Sequence, residues 1–355
     1  MGRWSDPFGQ TLCRARRGRP ATQAPPTSLP TAASGTTSCS NVKRLGLKPL
    51  VTARGAGLPL EAAATWLLVA IVALEIFVTY SRLPARELYH VSGSGLEGGA
   101  SRALVFLNFP AALVALAVLG LLYERLATRT LAAMALFAAV LCAAVFWPGV
   151  VSQANLDAKP VNTLAALGVL LTLGLSVAVA RHGGVPRRPW QRADGGRLGL
   201  AVTLALLSLP WFAADLGFFL DGVPILGSIF QTGEYRHRIA GLPPFPPAVH
   251  HGHHHGMDGL LLVLSALLLS RTLGLLQSRV FRGLLSAYLA LMFCYGVGNI
   301  ANDLWLEQIV KRGWTTWQIP NVLEPRATAA WAIIVLAAAA LWWLGLWRAR
   351  WHART

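Results

Sequence analysis

The chain has 355 residues, of which 54% are hydrophobic and only 13% charged. Soluble domains carry about 25% charged residues, so this composition excludes an ordinary soluble enzyme, a disordered chain and a disulfide-stapled secreted module. The formal net charge is +16, yet the arginines lie between apolar runs rather than on one recognition element, which points to membrane orientation and away from nucleic acid.

Residues 1–57 are rich in Arg, Pro, Thr, Ser, Ala and Gly and have no apolar periodicity. Such a segment buries too little apolar surface to offset its ordering entropy, which predicts a disordered basic tail. Apolar runs then recur at 60–80, 103–123, 130–150, 162–180, 198–220, 259–277, 281–303 and 328–347. Each is near the roughly 20 residues that cross a bilayer as helix. The expected fold is all-α: a polytopic membrane bundle of eight transmembrane helices over 58–348, with outward-facing loops and a short basic tail at 349–355.

With the N-terminus inside, 22 of the 31 Lys and Arg fall on the cytoplasmic side and 11 of the 15 acids outside it. Basic asymmetry of this kind sets orientation. Both termini are therefore expected in the cytoplasm, with the bundle in a bacterial plasma membrane and the lipid bilayer as its first partner. Trp147, Trp211, Trp305, Trp314 and Trp317 fall at outer ends and Trp190, Trp347 and Trp351 at inner ones, the depth amphipathic rings prefer. Cys13 and Cys39 lie in the tail and Cys142 and Cys294 inside spans, so no structural disulfide is expected.

Ionisable residues inside a membrane are expensive and functional by default. Glu75, Asn108, Asn162 and Asp215 all fall in the outer parts of their spans, Asp215 five residues beyond Pro210. Tyr295, Asn299, Asn302 and Asp303 follow at i, i+4, i+7 and i+8, one face of the seventh span. The inner halves offer scattered groups such as Thr172, Ser176 and Tyr288. This distribution predicts an outward-facing polar basin over a dry inner floor. An ion-coupled transporter needs polar groups near the midplane instead.

Before the sixth span stands His250-His251-Gly252-His253-His254-His255-Gly256-Met257-Asp258, with five of the nine histidines in six residues. Neutral imidazole is the commonest side-chain metal ligand, and His-rich tracts take Zn, Cu or Ni. His250, His251, His253, His254, His255 and Asp258 are the expected ligands of a divalent transition metal. The spacing His250-x-x-His253-His254 resembles the HxxHH box of membrane fatty-acid desaturases and hydroxylases. That family uses three such boxes on the cytoplasmic side, and this chain has one, placed outside. No HExxH, GxSxG, Walker or dinucleotide fingerprint occurs.

The expected function is a metal-assisted membrane enzyme acting on a lipid or lipid-linked envelope substrate. In that reading Asp303 and Asp215 supply a general base or a further ligand, and Asn299 and Asn302 orient the substrate. A metal-uptake or metal-sensing membrane protein is the first alternative. A non-catalytic membrane assembly subunit is the second.

Overall fold

The computed structural model describes residues 57–82, 93–147, 150, 157–184, 186, 189–216, 223–225, 255–310, 314–323 and 326–345. All belong to the unit Pro49–Thr355, which separates from Met1–Lys48. The basic tails expected at the two termini lie outside the described residues, apart from Gly57.

Among the described residues the structure is helical and has no β-strand. The helices are α1 (Leu60–Arg82), α2 (Gly95–Leu122), α3 (Arg129–Ala143), α4 (Pro160–His182), α5 (Arg192–Asp215), α6 (His255–Ser270), α7 (Arg279–Trp305) and α8 (Ala329–Trp343). Six segments are long and apolar enough to cross a membrane: Leu60–Arg82, Asn108–Arg125, Arg129–Phe146, Pro160–Arg181, Gly256–Leu275 and Arg279–Trp305. They are the helices of an integral membrane protein. Two of the eight expected spans stand apart from these six. Helix α8 is apolar but has 15 residues, and α5 opens with Arg192, Asp194 and Arg197.

Local sequence sets the helix starts. Thr128, Ser278 and Thr328 each accept a hydrogen bond from the backbone N–H three residues on, opening α3, α7 and α8. Helix α4 starts with Pro160 in its first turn, and the Asn162 side chain accepts the Lys159 N–H at 2.8 Å. Asn162, expected from the sequence to belong to the polar basin, is thus a capping residue. Its amide also donates to the Val150 carbonyl.

Three helix starts differ from the hydropathy reading, α5 beginning at Arg192, six residues before the apolar run at 198. Helix α2 begins eight residues before the apolar run at 103, through a glycine stretch expected to be loop. Hydropathy misses this because the reason is steric. A Cβ on Gly99 would overlap Ser81 Oγ and lie 2.7 Å from the Phe77 carbonyl, so glycine lets α2 lie directly on α1. Helix α6 begins at His255, four residues before its expected start, and brings Asp258 into its first turn.

Successive helices run antiparallel. Helix α6 and the inner part of α2 form the centre, with 72% of each spanning window buried, against 22% for α3 and 33% for α4. A helix apolar all round belongs in the interior. Leu136, Phe137 and Val140 of α3 and Leu164, Leu167 and Leu170 of α4 face outward, as lipid-facing side chains do. Helices α6 and α7 cross at glycine: a Cβ on Gly259 would lie 2.6 Å from the Gly296 carbonyl, and one on Gly296 2.7 Å from that of Gly259. Small residues that let backbones meet are the usual device of membrane helix packing.

The end of the bundle where α1 starts is fastened by ions. Arg271 lies 3.6 Å from both Glu61 of α1 and Asp194 of α5, with its guanidinium over the Trp190 ring. Asp194 also receives Arg197 at 2.9 Å and the Gln191 N–H at 3.0 Å. Glu124, just beyond α2, accepts the N–H groups of Gln277 and Ser278 at 2.6 and 2.9 Å, placing its charge at the positive end of the α7 dipole. Arg125 donates to the Gly57 carbonyl at 2.8 Å. Deeper in, Thr172 and Ser176 donate to carbonyls one turn back, and Tyr288 donates to the Leu113 carbonyl. These buried hydroxyls are all satisfied.

Candidate cation site

The opposite end, where α1 and α7 finish and α2 and α6 begin, holds a different set of charges. Glu75 of α1 is fully buried, and Asp258 of α6 and Asp303 of α7 are 4% and 8% exposed. Helix geometry explains each position. Glu75 stands two turns inside the end of α1, Asp258 in the first turn of α6, and Asp303 in the last turn of α7. Three elements thus bring three acids to similar depth.

The acids interact. Glu75 and Asp303 both act electrostatically on Asp258. Thr79, one turn beyond Glu75, donates to its Oε1 at 3.2 Å. Asp303 reaches α6 because residue 256 is glycine: a Cβ there would lie 2.6 Å from Asp303 Oδ2. Oδ1 of Asp258 is buried with no hydrogen-bond partner. Both amide atoms of Asn108, itself 5% exposed, are in the same position.

One base is buried at this end among the described residues. Arg102 of α2 is fully buried, with its guanidinium 4.8 Å over the Tyr80 ring of α1. Glu75 and Tyr80 lie five residues apart on α1, so Glu75 and the ring that meets Arg102 both belong to the last two turns of that helix.

The residues singled out from sequence divide into three groups. Asp303, expected as a general base or further ligand, and Asp258, expected as a metal ligand, lie at the same end within electrostatic reach, with Glu75 as a third acid. Asn299 and Asn302 are committed to the fold: the Asn299 amide donates to the Tyr295 carbonyl at 2.9 Å. That of Asn302 donates to the carbonyls of Ile319 and Pro320 at 3.3 and 3.2 Å. Tyr295 donates to the Leu323 carbonyl and stacks on Trp331 at 5.1 Å, and Trp305 donates to the Trp317 carbonyl. This face of α7 therefore tethers the segment 314–323. The third group is outside description: His250, His251, His253 and His254 lie outside the described residues, as do the side chains of His255 and Asp215.

Sequence reasoning did not include Arg102 or Gly256 in the site. Arg102 falls one residue before the apolar run of α2, and the glycine stretch ahead of it reads as loop. Glu75 was legible as an intramembrane acid, but nothing in a linear sequence joins it to residues 258 and 303.

Chemically, three carboxyl groups and one guanidinium are buried at this end among the described residues. Among the described residues no three His, Cys, Asp or Glu side chains form a ready-made metal cage. No family model, no curated protein and no solved structure matches the chain.

Proposed function

We infer that the chain is an eight-span protein of a bacterial plasma membrane, with both termini cytoplasmic, that captures a divalent transition metal ion from the outer side. In this reading His250, His251, His253, His254 and His255 are the entry ligands, and Asp258 and Asp303 anchor the ion at the head of α6. The observation that carries it is the position of Asp258. The residue that ends the histidine motif is buried beside a second and a third carboxylate. A carboxylate taken out of water is disfavoured unless it takes up a proton or meets a positive partner, and imidazoles with oxygen donors suit Zn, Cu or Ni.

Metal uptake or sensing is favoured over metal-assisted catalysis because the amide donors of Asn299 and Asn302 are occupied by carbonyls. One observation supports the enzyme as a second reading. Arg102, buried at the same end, has the fork geometry that recognises the phosphate of a lipid-linked substrate. Asp303→Asn separates the two, because an enzyme would lose turnover with metal still bound, whereas a capture protein would lose metal.

The test is metal content. Protein purified in detergent should carry Zn, Cu or Ni by elemental analysis. Replacing the five histidines with Ala should deplete it, and equal metal in both samples would refute the reading.

A further inference from the structure

We propose that the lipid-facing side of α4 is a slot for one anionic phospholipid, with Arg181 at its phosphate and an acyl chain lying across Gly174. The slot is at the end of the bundle where α1 starts, opposite Glu75, Asp258 and Asp303, and does not depend on the metal-capture reading.

Helix periodicity defines the slot. Leu167, Leu170, Gly174, Val177 and Arg181 follow at intervals of three and four residues, one stripe of α4. All five are exposed. Glycine inside a helix is unfavourable, and the two glycines here differ in what explains them. Gly168 meets the backbone of α3, where a Cβ would lie 2.7 Å from the Cys142 nitrogen. A Cβ on Gly174 would meet nothing within 4 Å, so packing within the chain gives no reason for it. The stripe is instead notched to the backbone between Leu170 and Val177. Gly174 stands seven residues from Arg181, or about 10 Å along the helix. The hydrocarbon of one leaflet is about 15 Å deep, so a lipid whose phosphate meets Arg181 has acyl carbons at the depth of the notch.

Charge identifies the occupant. Each acid described at this end is engaged elsewhere: Glu61 with Arg271, Asp194 with Arg197 and Arg271, and Glu124 with the N–H groups of Gln277 and Ser278. A guanidinium that crowns a lipid-facing stripe takes phosphate in its fork, and a headgroup of net negative charge leaves that pairing uncancelled. A second copy fits the face poorly. Copies inserted the same way up and related by a two-fold axis would bring their Arg181 side chains together.

Helix α3 is an internal control. Arg181 lies thirteen residues from Gly168, and Arg129 lies thirteen from Cys142, which Gly168 meets. The two arginines therefore reach the same depth. Arg129 heads a matching exposed stripe of Ala133, Leu136 and Val140, but its seventh position is Leu136 where α4 has glycine. Helix α3 thus has the charge without the notch.

The experiment titrates the full chain in a neutral detergent with phosphatidylglycerol and, separately, phosphatidylcholine, and counts bound lipids by native mass spectrometry. Wild type should hold one phosphatidylglycerol per chain at concentrations where phosphatidylcholine is lost. Arg181→Gln should weaken that binding by about fivefold or more. Gly174→Leu fills the notch, keeps every charge and favours helix, and it should weaken binding too. Arg129→Gln should leave the first lipid in place. Equal losses from Arg129→Gln and Arg181→Gln, or indifference to Gly174→Leu, would mean that charge alone attracts lipid and would overturn the slot. Equal retention of the two lipids, or a dimer in place of the lipid complex, overturns it as well.

Discussion

The crossing of α6 and α7 offers a test that links packing to the site. In Gly259→Ala the new Cβ would lie 2.6 Å from the Gly296 carbonyl and 3.0 Å from the Ile300 nitrogen. The first distance is 0.4 Å inside the 3.0 Å that real Cβ contacts respect, and both obstacles are backbone. No rotamer change relieves the clash, so the helices must separate. Overpacking of this kind costs about 1–3 kcal/mol. Replacing a helical glycine with alanine returns about 1 kcal/mol of helix propensity, leaving a net loss of roughly 0–2 kcal/mol. Gly283→Ala on α7 is the control. It meets nothing within 4 Å and should gain up to about 1 kcal/mol from propensity alone. Unfolding followed by far-UV circular dichroism in detergent measures both. Gly259 adjoins Asp258, so separation also draws that carboxylate away from Asp303 and should weaken ion binding in the folded variant. Equal stability shifts for Gly259→Ala and Gly283→Ala would refute the close-crossing argument.

At the ion-paired end, Asp194→Ala removes the acceptor of Arg197 and the Gln191 N–H and one counter-charge of Arg271. It should cost about 2–3 kcal/mol in the same unfolding assay, and a loss under half a kcal/mol would count against the fastening. Tyr295→Phe removes the hydrogen bond to the Leu323 carbonyl and should cost about 1 kcal/mol. Asn302→Ala should speed hydrogen exchange in 314–323, which it tethers, and leave the ion pairs around Arg271 untouched. For topology, reporter fusions after Arg188 and after Gly241 should read cytoplasmic and external respectively, and the reverse pattern would invert the proposed orientation.

Hydropathy located the helical segments because apolar length is a local property. It placed the starts of α2, α5 and α6 late because what extends those helices is not apolar. Gly99 extends α2 by close approach to Ser81 and Phe77, and α6 reaches back to a histidine. The one-face spacing of Tyr295, Asn299 and Asn302 was legible, but not its purpose. Periodicity says that these side chains share a direction and cannot say that carbonyls of 315–323 lie in that direction. Asp258 and Asp303 were each legible as polar groups at a helix end. Their meeting depends on Gly256 and on the Gly259–Gly296 crossing, which couples residues some forty apart in the chain. Short-range pattern carries no such information.

The two ends of the bundle hold similar residue types under opposite electrostatic conditions. Asp194 is fully buried, but two arginines and a backbone N–H surround it, so its charge is matched within the protein and helps fasten α1, α5 and α6. Asp258 is almost as buried, yet both of the charged neighbours that act on it are acids. An acid needed only for stability would be better replaced by an apolar residue of similar size, since buried ion pairs rarely outperform good packing. An acid among acids is worse still, because repulsion adds to desolvation. Folding alone therefore gains little from Asp258 where Glu75 and Asp303 act on it, whereas the ion pairs of Asp194, Arg197 and Arg271 hold α1, α5 and α6 together at the other end.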